Sequence, residues 1–281
     1  MSTHQDQYLD LLKKCLTASI YEESSWSIIE ATHEAGPKSP LQKLRHRLYA
    51  LIVKVLWRRA IILVKLKPFS QERRDKGLDW PCFGYTMTGR RRLDALQACI
   101  EDVLSKKVPG DFIETGVWRG GTSIFMRAML KVHDVGDRTV WAADSFEGMP
   151  VPVSSSDGAD LHHLDYLRVS LEQVKANFAR FDLLDDQVRF LKGWFCDSLP
   201  KAPVEKLAIL RLDGDMYSST MDSLTNLYHK VSVGGYVIVD DYFSWEPCQR
   251  AVADFLKSRK LTAAIKDIDG SAAYWQVESP A

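Results

Sequence analysis

The chain has 281 residues, 46% apolar and 26% charged, which suits one large domain, or one domain with an appendage, able to bury a real core. Its 37 Lys and Arg balance 37 Asp and Glu, so there is no global basic field and nucleic acid is excluded as a partner. The five cysteines are scattered with no CxxC, which argues against a zinc knuckle or redox pair and fits a reducing cytoplasm.

The polar start MSTHQDQYLD lacks an apolar stretch, so no secretory signal is expected. YLDLLKKCLTASIY follows with helical apolar spacing. After a polar stretch ending in AGPKSP comes LQKLRHRLYALIVKVLWRRAIILVKLK, residues 41–67, which contain no acid. It reads as one basic amphipathic helix, with Lys43, Arg47, Lys54, Arg58 and Lys65 on a single stripe. Those interior charges argue against a membrane span. An interface between copies of the chain is the expectation for this helix, with peripheral contact to an anionic membrane surface as the alternative. Residues 1–75 therefore read as a helical extension, a lid or an oligomerisation element, and residues 76–281 as the main domain.

In the main domain short apolar runs alternate with helical patterns. DFIE (111–114), TVWAAD (139–144), VRFL (188–191), LAILRL (207–212) and YVIV (236–239) read as strands. Helical spacing begins at about Thr122 and again spans 171–181. Such β-branched runs separated by helices predict a parallel sheet covered on both faces. The end, TAAIKDIDGSAAYWQVE, places two short runs around DG and predicts a hairpin. The fold class expected is α/β, with the Rossmann-like, seven-stranded, mostly parallel sheet and antiparallel C-terminal hairpin of class I methyltransferases.

Ligands of open α/β sheets bind at the carboxyl ends of the strands, where strand order reverses. The first strand ends in Glu114, then turns through Gly116 and enters a helix after Gly120 and Gly121. This spacing is neither the dinucleotide fingerprint nor a P-loop. The second strand ends in Asp144-Ser145, where an acid can accept from both ribose hydroxyls, and the third in Lys192-Gly193-Trp194, an aromatic turn suited to adenine. An acid, an acid and an aromatic turn favour S-adenosylmethionine over NAD.

Four carboxylates gather at the other end. Asp213 and Asp215 follow LAILRL, and Asp240 and Asp241 follow YVIV. Like charges this close repel unless a cation sits among them, and hard oxygen donors with no His point to Mg²⁺ or a similar ion. A divalent ion can lower the pKa of an acceptor hydroxyl while a neighbouring carboxylate takes its proton. Two candidates read as secondary. His162-His163 sit in a polar loop expected to cover the site, and Arg90, Arg91 and Arg92 start a helix as solvated or paired charges.

Taken together, YLDLLKKCLTASIYEE, YTMTGRRRLDALQ, PGDFIETGVWRGGTSIFMRAML, ADSFEGMP, LLDDQVRFLKGWFCDSLP, RLDGDMYSSTMDSL and GGYVIVDDY resemble the macrocin O-methyltransferase family of antibiotic biosynthesis. The resemblance covers residues 8–23 and about 76–277. It implies an Mg²⁺-dependent transfer of methyl from S-adenosylmethionine to a sugar hydroxyl of a glycosylated natural product or glycan. It also implies a homo-oligomer, a dimer or higher, while the cytoplasmic location is the expectation from the cysteines and the polar start. On the matching positions it implies Asp213, Asp240 and Asp241 as metal ligands and Asp215 as the catalytic base. Thr86, Met87, Glu114, Gly116, Gly120, Ser123, Asp144, Ser145, Gly193, Trp194 and Asp213 would line the cofactor site. Tyr85 stands where the family pattern carries His, which leaves the acceptor open. A catechol-type methyltransferase and an inactive scaffold with this fold remain as alternatives.

Overall fold

The computed structural model describes residues 3–22, 25–28, 48, 52, 55–56, 64–79, 81–158, 161–162 and 164–279. Five parallel strands make up most of its sheet: β3 (Asp111–Thr115), β4 (Val140–Asp144), β5 (Val188–Lys192), β6 (Leu207–Leu212) and β7 (Val231–Val239). β8 (Lys266–Asp267) and β9 (Ala273–Gln276) add the antiparallel hairpin. The sheet order is β5-β4-β3-β6-β7-β9-β8, the seven-stranded arrangement expected from the sequence. Successive strands run outward from β3 to β5 on one side and from β6 to β7 on the other. The order therefore reverses between β3 and β6, and the crevice opens there.

Helices cover both faces, as parallel strands that are apolar on each side require. One face carries α1 (His4–Leu16), α3 (Arg90–Ser105), α4 (Gly121–Val132) and α5 (Leu171–Arg180), packed through Leu93, Ile100, Phe125 and Phe178. The other carries α7 (Tyr217–Leu227) and α8 (Glu246–Arg259), packed through Leu224, Val252 and Phe255 against Leu210 and Trp275. Two short helices, α2 (Gln71–Asp75) and α6 (Phe195–Ser198), complete the described set.

The first helix belongs to the main core. Thr3 and Asp6 form a capping box that satisfies the orphan donors at its start. Leu9, Leu12 and Leu16, three and four residues apart, line one buried face. Each buried Leu contributes about 1.5–3 kcal/mol. Tyr85 N–H donates to Leu16 O (2.8 Å), tying this helix to the segment before α3.

One element corrects the sequence reading. The helix expected over 41–67 does not run to its end, because Val64–Lys67 is a strand, β2, paired antiparallel with β1 (Ser25–Ile28). VKLK alternates apolar and charged residues with a period of two, which suits a strand edge as well as a helix end, and pairing with β1 decides it. Leu48, Ile52, Val55 and Leu56 are helical, and the first three are exposed. Lys43, Arg47, Lys54 and Arg58 lie outside the described residues, and with them most of the basic stripe.

Candidate active site

The loops at the carboxyl ends of the strands hold unusual backbone. Trp118, Phe146 and Asp215 adopt φ of 47°, 57° and 55°. A left-handed conformation at a residue with a side chain costs on the order of 1–3 kcal/mol and persists where surrounding contacts enforce it. Gly116, at φ 93°, marks the seam of the crevice. A Cβ there would lie 1.8 Å from Asp213 O, so only glycine lets the β3 and β6 ends meet.

At the β3–β5 end the predicted residues come together. Half-buried Asp144 accepts from Val117 N–H (2.8 Å) and Phe146 N–H (2.7 Å), so its carboxylate ties the loop after β3 to the loop after β4. Burial raises its pKa, against the pull of those backbone donors. Ser145 closes a local turn, donating to Gly148 O (2.8 Å) and accepting from Glu147 N–H (3.0 Å). Gly193 N–H donates to Asp144 O (2.9 Å), which brings half-buried Trp194, at the start of α6, to the same rim. Gly120 caps α4 from a left-handed conformation.

Glu114 and Ser123 lie deeper, both buried and bonded to each other. The other oxygen of Glu114 accepts from Arg211 (2.6 Å). Burial pushes the Glu114 carboxyl up to about 7, although Arg211 and Ser123 pull it down. Thr86 is buried against Thr122 (Oγ1–Oγ1 3.1 Å), with half-buried Met87 beside it. Tyr85 O accepts from Gly121 N–H (2.9 Å), which seals this segment onto the start of α4. A cavity of about 810 Å³ opens beside these loops, lined in part by Tyr85, Arg119, Phe146, Glu147, Tyr166 and Asn177.

At the β6–β7 end the aspartates converge because the strands are parallel neighbours with Leu212 opposite Val239. Carboxylate oxygens of Asp213, Asp240 and Asp241 lie within 4.8 Å of one another. Asp215 lies close enough to Asp241 that each carboxylate shifts the titration of the other. Burial first, then Asp240, raises the Asp213 carboxyl well above the usual range. Burial and the adjacent Asp215 do the same to Asp241. Asp215 is pushed to about 7 by burial and by Asp213. Asp240 differs. Burial works to raise it, but Arg211 and Arg92 overcome that and hold it below the usual range.

Of these two arginines, Arg211 is the one the sequence analysis missed, whereas Arg92 was expected as a solvated or paired charge and is paired. Arg211 was part of RLDGD with no role assigned to it. It is a lone charge inside the core strand LAILRL, and a charge in a buried strand must find partners. Arg92 is buried and paired with Asp240 (2.5 Å) and Asp269 (2.8 Å), whereas Arg91 is exposed. The loop after β4 was expected to cover the site. Its Asp157 is fully buried and accepts from Ser218 N–H (2.8 Å) at the start of α7. That anchor docks the loop beside the turn of Asp215. His162 is exposed, and His163 lies outside the described residues.

Negative charge is in excess here. Two guanidiniums, Arg92 and Arg211, face Glu114, Asp213, Asp215, Asp240 and Asp241, with Asp269 drawing on Arg92 as well. The donors are all hard oxygens. Such a cluster suits a divalent cation, and its free acid can accept a proton near neutral pH.

Known proteins resemble this chain along its whole length. Residues 5–277 match the family described as Macrocin-O-methyltransferase (TylF). Demethyldecarbamoylnovobiocin O-methyltransferase of Streptomyces niveus is 52% identical over 213 residues, covering 74% of this chain and 81% of that protein. The 8-demethyl-8-(2,3-dimethoxy-alpha-L-rhamnosyl)-tetracenomycin-C 4'-O-methyltransferase of Streptomyces olivaceus is 45% identical, covering 97% of this chain and 93% of its own. The solved structure of the O-methyltransferase NovP aligns with a TM-score of 0.81 and 42% identity, over 98% of this chain and all, 100%, of that one. With its class I sheet and acid-rimmed crevice, the chain belongs to the macrocin O-methyltransferase family and is an O-methyltransferase.

Proposed function

We propose that this enzyme transfers methyl from S-adenosylmethionine to a sugar hydroxyl of a glycosylated natural product, with Mg²⁺ held by Asp213, Asp240 and Asp241. The observation that carries the reading is the cluster of Asp213, Asp240 and Asp241, whose acids outnumber the two arginines among them, next to the close approach at Gly116 in the same crevice. The rhamnosyl group in the name of the tetracenomycin relative supports the sugar acceptor.

Bound S-adenosylmethionine supplies an electrophilic methyl, and bound Mg²⁺ supplies positive charge beside the acceptor oxygen. The chain does the rest. Asp144, positioned by the Val117 and Phe146 N–H groups, would accept from the ribose hydroxyls, and Trp194 offers a ring face to adenine. The loops that meet at Gly116 bring the two halves of the crevice together, which orients the reacting groups. Asp215, with its pKa near 7, takes the proton of the acceptor hydroxyl.

The test is turnover of a deoxysugar glycoside and of a plain catechol, each with EDTA and with Mg²⁺ restored. Glycoside methylation should stop in EDTA and return with Mg²⁺. Full turnover in the chelator would sink the metal assignment, and activity on the catechol alone would replace the sugar with a phenolic acceptor.

A further inference from the structure

Arg211 sits one residue before the end of β6 at 1% exposure, on the strand between β3 and β7. Its Nη1 donates to Glu114 Oε1 (2.6 Å) and Asp213 Oδ2 (2.7 Å). Its Nη2 donates to Thr88 Oγ1 (2.8 Å) and Asp240 Oδ1. One planar group thus joins β3, the end of β6, the end of β7 and the segment before α3. Arg92 grips the other oxygen of Asp240 from α3 (2.5 Å).

Burying a guanidinium is costly, and an apolar side chain of similar size often stabilises a fold as well or better. What an apolar side chain cannot do is fix carboxylates relative to one another. The rigid fork of Arg does so. We infer that Arg211 is a positioning residue: it sets the separation and orientation of the Asp213 and Asp240 carboxylates, so that the cation site is formed before the ion arrives. Asp241 is held instead by the Ser244 hydroxyl, which donates to its Oδ1 (3.1 Å). This inference rests on the Mg²⁺ assignment above.

The experiment is calorimetric titration of Mg²⁺ and, separately, of S-adenosylmethionine into wild type and Arg211→Lys. Lys keeps the charge but loses the fork. The Mg²⁺ dissociation constant should rise at least about ten-fold, the typical effect of removing a residue that orients metal ligands. Because Arg211 also holds Glu114 and Asp213, any loss of cofactor affinity should persist at high Mg²⁺, whereas kcat at saturating cofactor should recover there. A role in folding alone would lower the active fraction without moving the Mg²⁺ dependence. If the variant does not fold, Thr88→Val, which removes one support of Nη2, decides: a weaker Mg²⁺ affinity at unchanged Tm supports the inference. Mg²⁺ affinity equal to wild type in the folded variant overturns it. Failure of wild type to bind Mg²⁺ at all would overturn the metal assignment instead, so the two failures are distinct.

Discussion

At the β3–β4 end of the rim, Asp144 accepts from two backbone N–H groups, and Glu114 is held between Arg211 and Ser123. At the β6–β7 end, Asp215 and Asp241 shift each other's titration, and Asp213 shares the same Arg211 with Asp240. The acids of the first end meet donors supplied by the protein. At the second, Arg211 and Arg92 answer Asp240 and Arg211 reaches Asp213, while Asp213 raises Asp215 and Asp215 raises Asp241. An acid at the end of a strand is therefore not a function in itself. Burial raises Glu114, Asp144, Asp213, Asp215 and Asp241, and Asp240, gripped by two arginines, is the one held below the usual range.

The seam between the two ends is the place where the comparison breaks most readily. Gly116→Ala forces a Cβ onto Asp213 O and holds Ala at φ 93°. It should cost about 3 kcal/mol or more by chemical unfolding. A loss below about 1 kcal/mol would mean that the two ends are free to separate.

At the first end, Asp144→Ala leaves Val117 N–H and Phe146 N–H without their acceptor. We expect a loss of about 2 kcal/mol in the same assay. No loss would show that this carboxylate is not structural.

At the second end the sign should reverse. Asp241→Asn removes one of the repelling charges, so in chelator it should stabilise the protein by about 1 kcal/mol while abolishing the gain in Tm on adding Mg²⁺. The same repulsion sets a pH dependence. The folded Asp215 pKa of about 7 lies above the ordinary 3.8, so its ionisation costs stability in full above about 7. That cost is relieved as pH falls from 7 toward 3.8. Unfolding in chelator at pH 8 and pH 6 should find the protein more stable at pH 6. The opposite trend would show that these acids are already compensated.

Much of this was legible beforehand for a definite reason. Runs such as LAILRL are too short and too apolar for a surface helix, and their spacing by helices implies parallel neighbours. Parallel neighbours bring residues just past their ends together, so the meeting of Asp213 with Asp240 and Asp241 follows from sequence pattern. The end of the 41–67 helix failed on the same logic. VKLK is ambiguous over four residues, and pairing with Ser25–Ile28 decided it. Asp157 was unreadable as an anchor because its partner, Ser218 N–H, lies 61 residues away.

By itself the sequence determined where the acids stand: at strand ends, in pairs, on adjacent strands, beside glycine turns. Run length and periodicity are local properties, and they suffice for that. Only the tertiary structure decided which acids are already neutralised. The Arg92–Asp240 bond spans 148 residues and the Arg211–Glu114 bond 97. Such partnerships depend on strand register and helix placement, because a buried charge must be matched by whichever donor the fold carries to it.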